Sequence, residues 1–138
     1  MRIFTQEEAN DALEVVRPLV ERLVDARRRF VHVAGRLEQV EGRVAGNGGG
    51  LDPQRVRELQ EHAAEVGGEI ALLVGELEAV GVQVKDLDQG LIDFPAYHPE
   101  SHETVLLCWH LGEDGVQYWH GVDEGFAGRK PLPFQRTE

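Results

Sequence analysis

Six histidines and one cysteine are the residues of this 138-residue chain with the widest chemical reach. His120 is the sharpest of them, because Asp93, Asp123 and Glu124 supply carboxylates that can join it. An imidazole with carboxylates makes a shell for one divalent ion of zinc, iron or manganese. The same set makes an acid–base pair, with His120 oriented by an acid. The structural alternative bonds His120 to a backbone carbonyl or a carboxylate, beside Trp109 and Tyr118. Cys108 and His110 sit on a neighbouring apolar run, and strand geometry decides what they can share. A tight turn over residues 112–115 puts Leu111 opposite Val116, His110 opposite Gln117 and Leu107 opposite His120. Faces alternate along a strand, so Leu107, Trp109, Tyr118 and His120 take one face. Cys108, His110, Gln117 and Trp119 take the other. On that register His110 and His120 cannot hold one ion unless a bulge intervenes. Cys108 with His110 gives two ligands, short of a closed zinc site. The pair also lacks a third group to orient it for nucleophilic catalysis.

A second feature is Gly125-Phe126-Ala127-Gly128-Arg129-Lys130. Gly125 and Gly128 let successive N–H groups converge on an anion, and Arg129 can fork onto phosphate or carboxylate. The strand–loop–helix setting of a phosphate-binding loop is missing. The structural alternative is a tail docked by Phe126, with Arg129 paired to Asp93, Asp123 or another acid. His98 and His102 lie in a polar loop near Glu100 and Glu103. His32 and His62 lie on helical stretches with no acidic or histidine partner four residues on. Arg27-Arg28-Arg29 is the only dense basic run, and reads as a solvated face paired with acids or as an anion site.

His120, Asp93 and Arg129 all follow residue 81, so what the preceding residues build decides where they are held. Thr5-Gln6-Glu7-Glu8 is a capping box, with Phe4 and Ala9 at the staple positions. Apolar residues then recur at Ala9, Leu13, Val16, Val20, Leu23, Phe30, Ala34 and Leu37, a wide stripe on one long helix. The stripe keeps its phase across Pro18, which predicts a kinked helix rather than a broken one. Asp52 as N-cap and Pro53 at the first helical position start a second helix. Val56, Leu59, Ala63, Val66, Ile70, Leu73, Leu77 and Val80 form its stripe, and Gly81 ends it. Gly67, Gly68 and Gly75 lie inside it, which suits close helix–helix approach or a bend. The glycine loop at 46–50 is short, so the helices form an antiparallel hairpin. After Gly81 the period drops to two. Val82–Asp86, Leu91–Phe94 (stopped by Pro95), Thr104–Leu111 and Val116–His120 read as strands of a small antiparallel sheet, followed by an irregular tail. The fold class is therefore α+β in a single domain over 1–138, a long antiparallel α-helical hairpin with a small C-terminal antiparallel β-sheet.

Charge excludes several functions. Acidic residues number 25 against 14 basic ones, a net charge of -11, which argues against nucleic acid as a partner. No apolar run is long enough for a membrane span, and the N-terminus lacks a signal peptide's apolar segment, which places the protein in the cytoplasm. A lone cysteine excludes an internal disulfide. Two helices cannot hide so wide a stripe, so a homodimer or higher oligomer is expected, with two hairpins pairing into a four-helix bundle.

The stretches Phe4-Thr5-Gln6-Glu7-Glu8-Ala9, Gly90-Leu91-Ile92-Asp93-Phe94-Pro95, Cys108-Trp109-His110-Leu111-Gly112-Glu113, and Trp119-His120 through Asp123 to Gly125-Phe126-Ala127-Gly128-Arg129 resemble the bacterial domain of unknown function 2203 family. Some of its members are labelled division initiation protein. His110 departs from the basic residue, often arginine, expected there. The resemblance implies a shape and a C-terminal hot region, and no activity. The leading expectation is an oligomeric interaction or scaffold protein without catalysis. The alternative is a metal-binding protein or metal-dependent enzyme centred on His120.

Overall fold

The computed structural model describes residues 1–47 and 52–135. Helix α1 spans Gln6–Asn47 and helix α2 spans Pro53–Val80. Both starts follow from local chemistry. The Thr5 hydroxyl accepts from Glu8 N at 3.0 Å, and the Glu8 carboxylate accepts from Thr5 N at 3.0 Å. The Asp52 carboxylate caps α2 by accepting from Gln54 N at 3.0 Å. Gly81 ends α2 at φ 112°, a left-handed conformation that a Cβ would strain. α1 runs unbroken through Pro18, which is exposed. Residues 48–50 of the glycine loop lie outside the described residues.

Ala9, Leu13, Val16, Val20, Leu23 and Ala26 of α1 form one core with Val66, Leu73 and Leu77 of α2. The interior glycines differ in what they do. The Phe30 ring lies 3.7 Å from where a Gly67 Cβ would stand, so Gly67 serves close approach. Gly68 and Gly75 face open space instead. No helix among the described residues is long and apolar enough to cross a membrane.

The rest of the chain is a five-stranded antiparallel meander in the order β1-β2-β3-β4-β5. The strands are β1 (Gln83–Asp86), β2 (Leu91–Tyr97), β3 (Thr104–His110), β4 (Tyr118–Gly121) and β5 (Lys130–Pro131). Ile92, Phe94 and Ala96 of β2 and Val105, Leu107 and Trp109 of β3 turn one face into the helical core. Gly90, at φ 65° in the β1–β2 turn, lets the backbone meet α1: a Cβ there would lie 2.7 Å from Val20 Cγ1.

Three sequence expectations need correction. Pro95 does not stop β2, because its carbonyl points away from β3 and accepts from Phe4 N at 2.7 Å. N–H and C=O of one residue share a side in a strand, so the missing N–H costs no bond with β3. The tail is not irregular, since Phe126–Gly128 makes a 3-10 turn and Lys130–Pro131 adds a fifth strand. The β3–β4 connection is also no tight turn. Val116 is fully buried and tied to α1: its N–H donates to Asn10 Oδ1 at 2.8 Å and its carbonyl accepts from Gln6 Nε2 at 2.9 Å. That anchor removes Val116 from the strand, and β4 begins at Tyr118.

Candidate metal centre

The later start of β4 moves its register by one residue. His120 lies opposite Leu106 rather than Leu107, and Tyr118 lies opposite Cys108. Asp93 of β2 lies opposite Cys108 from the other side. A one-residue slip exchanges the faces. Asp93, Cys108 and His120, from three adjacent central strands, therefore meet on the face turned away from the helical core. They are 1%, 0% and 4% exposed. One donor atom from each, a carboxylate oxygen, the thiol sulfur and an imidazole nitrogen, lie within 4.8 Å of one another.

His120 is fixed at both nitrogens. Nδ1 lies 2.8 Å from Gly121 O. A carbonyl only accepts, so Nδ1 carries the proton and Nε2 faces the carboxylate. Nε2 is 3.2 Å from both Asp93 oxygens. With Nδ1 protonated, a hydrogen bond at Nε2 needs one proton held between His120 and Asp93. The Cys108 sulfur lies within 4.8 Å of the same carboxylate. Burial pushes the Asp93 carboxyl above its ordinary value, against the pull of His120. Burial, and then the charge of Asp93, push the Cys108 thiol up to about 12. Such a thiol is protonated at neutral pH, and His120 Nε2 is committed to Asp93, so the trio is not arranged as an activated nucleophile. It does match a ligand set. Metal-binding histidines commonly donate their second N–H to a backbone carbonyl, as His120 does to Gly121.

The family described as Uncharacterized conserved protein (DUF2203) matches residues 2–132. The chain belongs to this family. No curated protein and no solved structure matches it.

In this DUF2203 chain the structure joins two of the sequence candidates, His120 and Asp93, and adds Cys108. The thiol was missed because the tight-turn register put it on the opposite face. Asp93, Cys108 and His120 are the metal-suited cluster among the described residues, and it contains neither Asp123 nor Glu124. Asp123 is exposed. Glu124 is exposed too, and accepts from Lys130 Nζ at 2.6 Å and Gly121 N at 2.9 Å. Lys130 first, and then the Gly121 N–H, hold its carboxyl below the ordinary range.

Arg129 pairs with Glu113 at 2.6 Å, and its guanidinium lies 4.0 Å from the Tyr118 ring centre and 4.6 Å from that of Phe126. Gly128 N donates to Gly125 O at 2.9 Å, inside the turn, and a Cβ on Gly128 would stand 2.7 Å from a Glu124 oxygen. His110 contacts Leu111 O at 2.9 Å through Nδ1 and packs its ring on Phe126. His98 Nδ1 accepts from Glu100 N at 3.1 Å, with its ring against Trp119 and Phe134. His62 is exposed beside Glu65. Of the arginine run, Arg27 pairs with Asp88, and Arg29 with Asp25 and Glu69.

Proposed function

We propose that this chain is a metal-binding protein that holds one divalent transition-metal ion between Asp93 Oδ, Cys108 Sγ and His120 Nε2. The observation that carries this reading is the convergence of three different donor atoms within 4.8 Å, all buried, with the imidazole already oriented through Nδ1. A site of one nitrogen, one oxygen and one sulfur suits zinc or iron(II) better than manganese, because a thiolate is a soft ligand. Two ionised ligands, Asp93 and Cys108, would balance the charge of a divalent ion. Three protein ligands leave a fourth position of a tetrahedral ion for water or a substrate, as in catalytic rather than closed structural zinc sites.

Elemental analysis of untagged protein, purified without added metal or chelator, tests this directly. One equivalent of zinc or iron per chain is expected, and Cys108→Ser together with His120→Ala should each abolish it. Protein that carries no metal and takes up none on titration with zinc or iron(II) would refute the reading.

A second reading, an oligomeric interaction or scaffold protein, draws support from the far end of the hairpin. The continuous core ends at Ala26 on α1 and Val66 on α2. Beyond it Val33 and Leu59 are buried, while Leu37, Val40, Val56 and Ala63 remain half-exposed along the seam. A second copy of the hairpin would cover them. Light scattering at micromolar concentration tests this, with a dimer or larger expected and a monomer against it.

A further inference from the structure

Asp93, Cys108 and His120 lie on the sheet face turned away from the helical core, yet Cys108 is 0% exposed. Segment 121–129 contacts that face. It leaves β4 at Gly121, whose carbonyl takes His120 Nδ1, and returns to β5 through the 3-10 turn Phe126–Gly128. Two of its side chains reach the face beside Cys108. The Phe126 ring packs on His110, two residues along β3, at 5.8 Å between centres. The Arg129 guanidinium stacks on Tyr118, the cross-strand partner of Cys108, and donates to Cys108 O at 3.4 Å.

We infer that segment 121–129 is a strap over the Asp93–Cys108–His120 site, latched by the Arg129–Glu113 ion pair, and that its opening sets the rate at which an ion enters or leaves. The inference rests on the metal reading above for its ligand, and on the strap's own contacts for its motion. The latch is compact. Glu113 Oε1 accepts from Arg129 at 2.6 Å and from His110 N at 3.0 Å, so it joins the strap to the end of β3. Glu124 ties the strap's two ends to each other, accepting from Gly121 N at 2.9 Å and Lys130 Nζ at 2.6 Å, and the stretch between is open to solvent. Residues 122–127 are all exposed, Phe126 among them at 43%. Arg129 Nε is buried without a hydrogen-bond partner. Opening would give that donor to water, which lowers the cost of release. Low packing and an exposed backbone mark a segment that opens locally without global unfolding.

The lone cysteine gives a test that does not depend on metal. Cys108 is the only thiol, so its reaction with an aromatic disulfide reagent reports opening at this site alone. In native metal-free protein the reaction should be slow. Arg129→Ala should speed it at least tenfold, with circular dichroism unchanged. Glu113→Gln, which keeps an acceptor but loses the charge, should give a smaller increase. From zinc-loaded protein, release to a chromophoric chelator should accelerate by the same factor in Arg129→Ala, at unchanged zinc stoichiometry. If Arg129→Ala does not fold, Phe126→Ala removes the strap's ring contact with His110 and should speed the thiol reaction in the same direction. A thiol rate equal to that of the parent in the folded variants would overturn the strap, whether or not zinc binds. Parent protein that binds no zinc, with the thiol rate still raised by the variants, would refute the metal reading and leave the strap standing.

Discussion

At the scale of single residues, the His120–Asp93 contact is where structural and metal roles diverge. Two substitutions separate them. His120→Ala leaves a buried carboxylate without its partner, and breaking such a pair costs about 3–5 kcal/mol. Thermal unfolding with chelator present should show that loss. Asp93→Asn differs, because the amide can still donate to Nε2 and no charge is buried. Its metal-free stability should stay within about 1 kcal/mol of the parent, while the rise in Tm that zinc brings should vanish. A zinc-induced Tm shift that survives Asp93→Asn would remove Asp93 from the ligand set. Proton release gives an independent check. Burial and the neighbouring Asp93 hold the Cys108 thiol up to about 12, so a thiolate ligand forms at neutral pH only by expelling that proton. The proton held between Asp93 and His120 must leave as well. Binding should therefore release two protons, and affinity should fall by about 100-fold per unit as pH drops. Calorimetry in buffers of different ionisation heat measures this number. Zinc uptake with no proton release would place the ion elsewhere.

Among the elements, what could be read from sequence was whatever local chemistry decides. The capping box at Thr5–Glu8, the Asp52-Pro53 start, the Gly81 stop and the two apolar stripes all depend on residues a few positions apart, and each is present in the fold. Pro95 and the β3–β4 register escaped because partners far along the chain decide them. Phe4 supplies the N–H that uses the Pro95 carbonyl, and Gln6 and Asn10 take Val116 out of the strand. A tight Gly-Glu-Asp-Gly turn is a reasonable local solution, but α1 overrides it. The candidate site follows the same rule. His120 and Asp93 were legible as a polar pair, whereas Cys108 joins them only once the register is known. This makes Asn10 a test of register as well as stability. Asn10→Ala removes the acceptor of the Val116 N–H and leaves that donor buried, which should cost about 1–3 kcal/mol in chemical denaturation. The exchange of the Val116 amide with solvent should also rise sharply. If Asn10→Ala is as stable as the parent, the anchor does not hold the loop and the register has another cause.

For the whole molecule, charge and apolar surface act against each other. Residues 1–50 are neutral, with eight acids and eight bases, whereas 51–80 and 81–138 carry net charges of -5 and -6. A second copy brings the same -11 with it, so long-range repulsion opposes self-association. The half-exposed seam of Leu37, Val40, Val56 and Ala63 favours it at short range. Salt distinguishes the two contributions, because the Debye length falls from about 20–30 Å in dilute buffer to about 8 Å at 0.15 M. If the apolar seam forms the contact, screening removes repulsion and spares attraction. The dimer should then tighten between dilute buffer and 0.15 M salt, as read by sedimentation or light scattering. If arginines of α1 such as Arg28 and Arg36 instead meet acids of α2 such as Glu58 and Glu61 across the copies, the same change of salt should loosen it. Leu37→Glu with Val40→Glu makes the choice sharper. Both side chains are half-exposed in a single chain, so a monomer tolerates the change. A seam-driven dimer would dissociate with little loss of helix signal. A dimer that persists in the double variant and weakens with salt would place the contact on the charged flanks of the hairpin.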